Sequence, residues 1–294
     1  MPRISVLMTI YNAAPYLAEA VDSLLTQTFG DFELITIENG SSDGSKEIIK
    51  RYTDERIKVT NLDNNIGRTP ALNLAMEKAS GEFIAILDAD DFSHPDRFEK
   101  QIQFMENNPA TVLLASWFLM IDQDGKPLGE HTLPTGHQEL INRLAYDNPF
   151  GHSTCFFSRQ AAMEVGGYPD AYVHSQDFAL CISLASKGNV AILPESLVSI
   201  RFNEATATNR PEYQLPKFYD AFRLHKMARS LPGLSDTAKK RNKEEMARAA
   251  GNYGKTLIQR GRLLTGCFWL ARSFLLAPML FVSKAVNVGS FSTG

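Results

Sequence analysis

The sequence predicts an α/β protein: a mostly parallel sheet with helices on both faces, followed by a helical C-terminal region. Three observations predict it. Short apolar runs alternate with amphipathic helical segments through residues 1–117. One of those runs, Phe83–Leu87, ends in Asp88-Ala89-Asp90-Asp91, acids delivered to a strand end. From Glu212 onward the pattern is helical throughout, broken at Pro216, Pro232 and Pro278.

The elements follow in order. Ile4–Ile10 reads as a strand. Pro15 suits a helix start, and Leu17, Ala20, Val21, Leu24 and Leu25 fall on one helical face. Phe32–Ile37 is a strand and Ser42–Tyr52 a helix opened by capping residues. Ile57–Asn61 is a short strand. Thr69 and Pro70 open a helix that stops before Gly81, and the acid-tipped strand follows. Pro95–Asn108 is helical and Val112–Trp117 a strand. Between 118 and 211 glycines and prolines loosen the pattern; Thr154–Phe157 and Leu197–Arg201 read as strands and Phe178–Ser186 as a helix. The domain boundary falls near 211, with 1–117 and 118–211 as two halves of one domain and 212–294 as a tail.

Composition sets outer limits. The 294 residues are 44% hydrophobic and 21% charged, as in an ordinary globular chain. The N-terminal apolar run is too short for a signal peptide. Three widely spaced cysteines, Cys155, Cys181 and Cys267, fit reduced thiols better than a disulfide framework or a zinc site. A cytoplasmic protein is expected. Residues 1–211 hold 16 Lys+Arg against 28 Asp+Glu, a net of −12, whereas 212–294 hold 14 against 5, a net of +9. The basic tail suits an anionic membrane surface, on the inner face of the cell membrane; a solvated helical face, packing on the acidic domain or a dimer contact would also use it. Leu263–Val282 is apolar, but Arg272 lies near its middle, where a charge costs about 2.5–3.5 kcal/mol in a bilayer. A segment lying in the interface is expected rather than a span. No nucleic-acid partner is expected.

The chemistry concentrates at strand ends, where open α/β sheets bind ligands. Carboxylates a few ångströms apart repel by about 4 kcal/mol at an effective dielectric near 20. A cation offsets that, and oxygen-only ligands favour Mg²⁺ or Mn²⁺ together with substrate phosphates. The first strand ends in Thr9-Ile10-Tyr11-Asn12, so neither a dinucleotide fingerprint nor a Walker loop is present. Glu38-Asn39-Gly40-Ser41-Ser42-Asp43 offers an acid and an amide that can read a base edge; the same residues serve turns and caps. Arg68, just before a helix, can neutralise phosphate or be an ordinary surface residue.

Taken as an ordered set, these pieces resemble the family 2 inverting glycosyltransferases of GT-A fold. The carrying residues are Tyr11-Asn12, Glu38 to Asp43, Asn65-x-Gly67 with Ala71-x-Asn73, Asp88 to Asp91, Gly166-Gly167-Tyr168 and Gln176-Asp177-Phe178-Ala179-Leu180. The resemblance spans roughly residues 1–210. It implies that Thr9, Tyr11, Asn12, Glu38 and Asn39 form the pocket for the base of a nucleotide diphosphate sugar, most often uridine, with Arg68 and Ala89 also on the donor side. Asp88 would contact ribose or sugar. Asp90 would bind Mn²⁺ or Mg²⁺ directly, with Asp91 close by. Asp177 would be the catalytic base, in a position where an N-cap on the helix beginning at Phe178 is the ordinary reading. His152, Ser153, Gln176 and Arg201 would face acceptor or donor sugar. The acceptor would be a glycan or lipid-linked hydroxyl in bacterial surface-glycan assembly.

The chain departs from the family pattern at four places. Thr9 replaces the usual Pro, Glu38 the usual Asp, and Gln176 the usual Glu beside the base. Asn203 stands where Arg-x-His would place a histidine, which puts that contribution to metal or diphosphate in doubt. The Gln-x-x-Arg-Trp motif and spanning helices of processive synthases are absent, which points to transfer of a single sugar. Two other classes compete: a sugar nucleotidyltransferase, which would need a Gly-rich basic loop where Tyr11-Asn12-Ala13-Ala14 stands, and a non-catalytic sugar-nucleotide- or glycan-binding protein.

Overall fold

The computed structural model describes residues 1–172, 175–202 and 214–278. The chain forms two compact units. The first is Met1–Leu140, Asn148–Ala171 and Gln176–Asn203; the second is Ile141–Asp147, Tyr172–Ser175 and Glu204–Gly294.

The first unit is built on one sheet. Strands β1 (Ile4–Ile10), β2 (Phe32–Asn39), β3 (Ile57–Leu62) and β4 (Phe83–Ile86) run parallel in the order β3-β2-β1-β4. Helix α1 (Leu17–Leu25) joins β1 to β2, the short helix α2 (Ser45–Ile49) joins β2 to β3, and α3 (Arg68–Lys78) joins β3 to β4. Alternation along β1 sorts the two faces. Ile4, Val6, Met8 and Ile10 point into one apolar core with Leu17, Val21 and Leu24 of α1. Phe98, Ile102 and Met105 of α4 (Arg97–Asn107) enter the same core. The opposite face carries α3, whose Ala71, Leu72, Ala75 and Met76 are buried.

Beyond β4 the sheet is mixed. The two-residue β5 (Phe92–Ser93) pairs antiparallel with β9 (Asn189–Arg201). Strand β6 (Thr111–Ile121) runs parallel to β9 and antiparallel to β7 (Pro127–His131) and β8 (Phe156–Ser158), and β8 is antiparallel to β4. Parallel pairing thus holds for the first four strands and for β6 with β9. Strands β5 and β7 and helices α5 (His137–Leu144) and α6 (Arg159–Glu164) are absent from the sequence reading, being short or embedded in Gly/Pro-rich stretches.

Three element boundaries differ for local reasons. Helix α2 begins at Ser45, not Ser42, because residues 41–43 bond to the loop after β1. The strand expected at Thr154–Phe157 is Phe156–Ser158, because residues 152–154 form a 3-10 turn closed by the Thr154 N–H on the Gly151 carbonyl. Helix α7 (Gln176–Ala185) starts at Gln176, so Asp177 lies inside its first turn and is not an N-cap.

The second unit contains α8 (Gln214–Ala228), α9 (Asp236–Gln259) and α10 (Leu263–Leu276). Phe222, Met246, Leu257 and Trp269 are in its core. Asn242 ties residues 141–147 to this unit by donating to the Ala145 and His225 carbonyls. Helices α9 and α10 cross at glycines: a Cβ on Gly254 would lie 2.8 Å from the Gly266 carbonyl oxygen. Leu264, Phe268 and Leu275 on α10 are exposed. Among the described residues no helix is long and apolar enough to cross a membrane.

Candidate active site

The loops after β1 and β2 are fastened to each other. The Asn12 N–H donates to Ser41 Oγ, and Asn12 Oδ1 accepts from the Ser42 N–H at 2.9 Å. Asp43 accepts from the Ala14 N–H and from both the N–H and hydroxyl of Ser45. Asn12 holds φ at +53°, a left-handed backbone that Asn tolerates. Tyr11 is half exposed beside this clasp, and Thr9 is partly buried. Glu38 is fully buried. Its Oε1 accepts from the Ser41 N–H at 2.6 Å, and among the described residues its Oε2 has no hydrogen-bond partner. A buried acceptor left unpaired costs about 1–3 kcal/mol, so this oxygen is primed for a donor.

Asn39 has a different place from a base contact. It donates to Asn65 Oδ1 and to the Gly67 carbonyl, and accepts from the Ile66 N–H at 2.9 Å. Its amide is spent on shaping the 65–67 loop, which presents Arg68 at the start of α3.

The acidic turn links β4 to β5. Arg68 reaches both oxygens of Asp88, at 2.7 and 2.6 Å, and lies 2.9 Å from His152 Nδ1. The same ring nitrogen is 3.1 Å from Asp88 Oδ1, and Nε2 is 3.1 Å from the Tyr168 hydroxyl. Burial pushes Asp88 up, but the Arg68 and His152 charges outweigh it and hold the carboxyl well below the usual range. The Asp88 N–H donates to Ser153 Oγ, whose hydroxyl donates to Asp91. The other Asp91 oxygen accepts from the Arg201 N–H at 2.8 Å. Burial, then Asp88 and Asp90, raise Asp91 well above an ordinary carboxyl.

Asp90 is the exposed member. The protein crowding around it, and next the Asp88 charge, raise its pKa. Among the described residues no other residue donates a hydrogen bond to its carboxylate. Ala89, between the two, is buried. Among the described residues no group of three or more His, Cys, Asp or Glu is arranged to hold a metal. One free carboxylate still fits a Mg²⁺ or Mn²⁺ whose remaining ligands are phosphate oxygens and water.

Arg201 works from beneath. Its Nε donates to the Asp90 carbonyl, its two Nη groups donate to the Asp122 and Gln123 carbonyls and to Glu19, and its guanidinium lies 4.3 Å from the Tyr16 ring. This near-buried side chain braces the turn and is not turned toward a sugar. The neighbouring Asn203 position lies outside the described residues.

Asp177 sits in the first turn of α7, where Asn148 donates to it at 3.3 Å. Gln176 is buried, and among the described residues its Oε1 has no partner. Asp177, His152 and Tyr168 border one small cavity, and the Asp177 charge is felt at Arg68. Tyr168 is held by Asn73, which accepts from its N–H at 2.9 Å and donates to its carbonyl at 2.8 Å. Gly167 precedes it at φ +72°, and a Cβ there would lie 2.8 Å from Asn73 Oδ1. Sequence reasoning picked out Asn73 and Gly166-Gly167-Tyr168 as motifs without giving them this clamp. Asn148 and Glu19 carried no signal at all, because each is an ordinary loop or helix polar residue until the fold aligns it.

The family model described as Glycosyl transferase family 2 matches residues 5–167. The chain is 32% identical over 218 residues to the putative teichuronic acid biosynthesis glycosyltransferase TuaG of Bacillus subtilis, covering 71% of this chain and 83% of that protein. It is 30% identical over 202 residues to the amylovoran biosynthesis glycosyltransferase AmsE of Erwinia amylovora, covering 67% and 75%. Among solved structures, S. aureus TarS 1–349 in complex with UDP-GlcNAc matches with a TM-score of 0.71 at 17% identity, over 99% of this chain and 93% of that one. The mannosyltransferase PcManGT from Pyrobaculum calidifontis, in complex with GDP-Man and Mn²⁺, matches with a TM-score of 0.60 at 18% identity, over 98% and 81%. At these identities the two structures speak for the fold alone. By the family model and by its curated relatives, the chain belongs to glycosyltransferase family 2.

Proposed function

We propose that this chain is an inverting, metal-dependent glycosyltransferase of GT-A type. It moves one sugar from a nucleotide diphosphate sugar, uridine-linked, to a hydroxyl of a glycan or lipid-linked acceptor in bacterial surface-polysaccharide assembly. The observation that carries the reading is the state of the three acids after β4. Asp88 is paired with Arg68 beside His152, Asp91 is bonded to Ser153 and the Arg201 N–H, and among the described residues none donates to the Asp90 carboxylate at the strand end. The names of the relatives, which concern teichuronic acid and amylovoran, support a surface-polysaccharide setting.

In this reading the unpaired Glu38 Oε2 accepts from a base N–H, with Thr9, Tyr11 and Asn12 around it. Asp90, with Asp91 behind it, would hold Mn²⁺ or Mg²⁺, which when bound would supply positive charge for the departing diphosphate. Asp177 takes the proton of the acceptor hydroxyl as its oxygen bonds to the anomeric carbon. The anomeric carbon–oxygen bond breaks on the opposite face, and its electron pair leaves with the nucleotide diphosphate. A single displacement inverts the centre. The reaction takes place in the cytoplasm, with the basic helical unit and the exposed apolar side of α10 against an anionic membrane.

Calorimetric titration of UDP and UDP-sugars, with Mn²⁺ or EDTA, tests the donor site. Binding that needs metal and is lost in Asp90→Asn is the expected result; metal-independent binding, or a variant that binds unchanged, refutes the assignment. Asp177→Asn should abolish transfer and spare donor binding. Normal transfer by that variant would remove Asp177 as base.

A further inference from the structure

The helical unit holds a cavity of its own. It measures about 460 Å³, within the ~300–1,000 Å³ range of small-molecule sites. Aromatic rings wall it. Trp269 of α10 meets Phe222 edge-on at 5.0 Å and Tyr219 at 5.9 Å. Three cations border the same space: Arg223, Lys226 and Arg272. Arg223 lies over Tyr172 at 4.4 Å and 3.7 Å from the Asp220 carboxylate. Arg272 lies over Phe222 and Trp269, at 4.5 and 5.1 Å. Among the described residues no carboxylate pairs with Lys226 or Arg272.

Two physical points follow. Three positive charges border one concavity, so an anion entering it relieves their repulsion. The Arg272 guanidinium, lying over two rings, presents a planar fork that matches phosphate oxygens. The rings add flat apolar area, on which the C–H face of a sugar can lie.

We propose that this cavity binds a phosphate carried on a sugar ring, with Arg223, Lys226 and Arg272 on the phosphate and Trp269 and Tyr219 against the sugar. The choice of a sugar rests on the proposed function; the anion preference stands on the charges and rings alone. Such a ligand is either a free sugar phosphate or the sugar phosphate of a lipid- or chain-linked glycan.

The chain has two tryptophans, Trp117 in β6 and Trp269 in the cavity. In a Trp117→Phe background, Trp269 emission reports binding, and calorimetry on the unaltered chain repeats the measurement. The probes are glucose 1-phosphate, its decyl phosphodiester, glucose, phenyl phosphate and inorganic phosphate. We expect saturable binding of glucose 1-phosphate or the diester, with glucose silent. Lys226→Glu and Arg272→Gln should each weaken it at least about tenfold, the loss of one charge-assisted contact. Lys226 is exposed, so its variant should fold. Lys243→Glu, the same charge change on α9, should leave binding intact. Tighter binding of the diester assigns a chain-linked ligand, tighter binding of the monoester a free one, and either supports the proposal. No saturable binding, indifference to both substitutions, or equal affinity for phenyl or inorganic phosphate overturns it. Failure of the donor titration would leave the Trp269 signal unaffected, so the two ideas fail separately.

Discussion

Replacing Gly167 with Ala tests whether the Asn73 clamp builds the site. The new Cβ would lie 2.8 Å from Asn73 Oδ1 on a backbone at φ +72°. The left-handed conformation alone costs about 1–2 kcal/mol for a residue with a Cβ. Displacing Asn73 also breaks its two bonds to the Tyr168 backbone, at about 1 kcal/mol each. Gly167→Ala should therefore lose about 3.5 kcal/mol, and Asn73→Ala about 2 kcal/mol. Once Asn73 is truncated the clash is gone, so the double variant should lose only about 3.5 kcal/mol. The coupling is then about 2 kcal/mol, read from urea unfolding of the four proteins with a common slope. Because Tyr168 holds His152, each single variant should also weaken donor binding. Losses that add to within about 0.5 kcal/mol would refute the clamp.

Glu33 gives a pH test. Burial pushes its carboxyl up, but Lys58, Ser5 and Ser80 outweigh burial and bring it from 4.5 to about 2. The charged form is the one the fold favours, so its contribution is present above about pH 4.5 and disappears as pH falls through about 2. Discounted for the half-exposed Lys58, it is about 2 kcal/mol, and Glu33→Gln should flatten acid unfolding across that window. Gly266→Ala should destabilise the helical unit by about 1–3 kcal/mol, since the Cβ would meet Ile258 at 2.5 Å and the Gly254 carbonyl at 2.8 Å; a raised melting temperature would show that α9 and α10 can separate freely. The full chain should bind phosphatidylglycerol vesicles at low salt and lose binding when Leu264 and Leu275 are both changed to Glu. Indifference of the unaltered chain to such vesicles would end the membrane reading.

The parallel strands β1 to β4 were legible because each is an apolar run bounded by turn residues and followed by a helical period. Strand β5 was not, because two residues carry no period, and its pairing partner Ser199 lies far along the chain. The acids after β4 announced themselves by charge at a strand end. What each of them does was hidden, because that depends on partners: Arg68 and His152 for Asp88, Ser153 and Arg201 for Asp91. Arg201 looked like a residue facing sugar and is a brace. Asn39 looked like a base contact and is loop structure. In both cases one sequence motif suits two uses, and only neighbours decide between them.

The bonds from Arg201 to Asp91 and Asp90 span 110 and 111 residues, and the one to Glu19 spans 182. A chain emerging from the ribosome thus carries every donor-side residue long before it can use them. Until β9 pairs with β5, a contact of high sequence separation, the acids lack the Arg201 brace. The braced turn is then complete only after residue 201 has been made, and an N-terminal fragment such as 1–117 would hold the acidic motif without its brace.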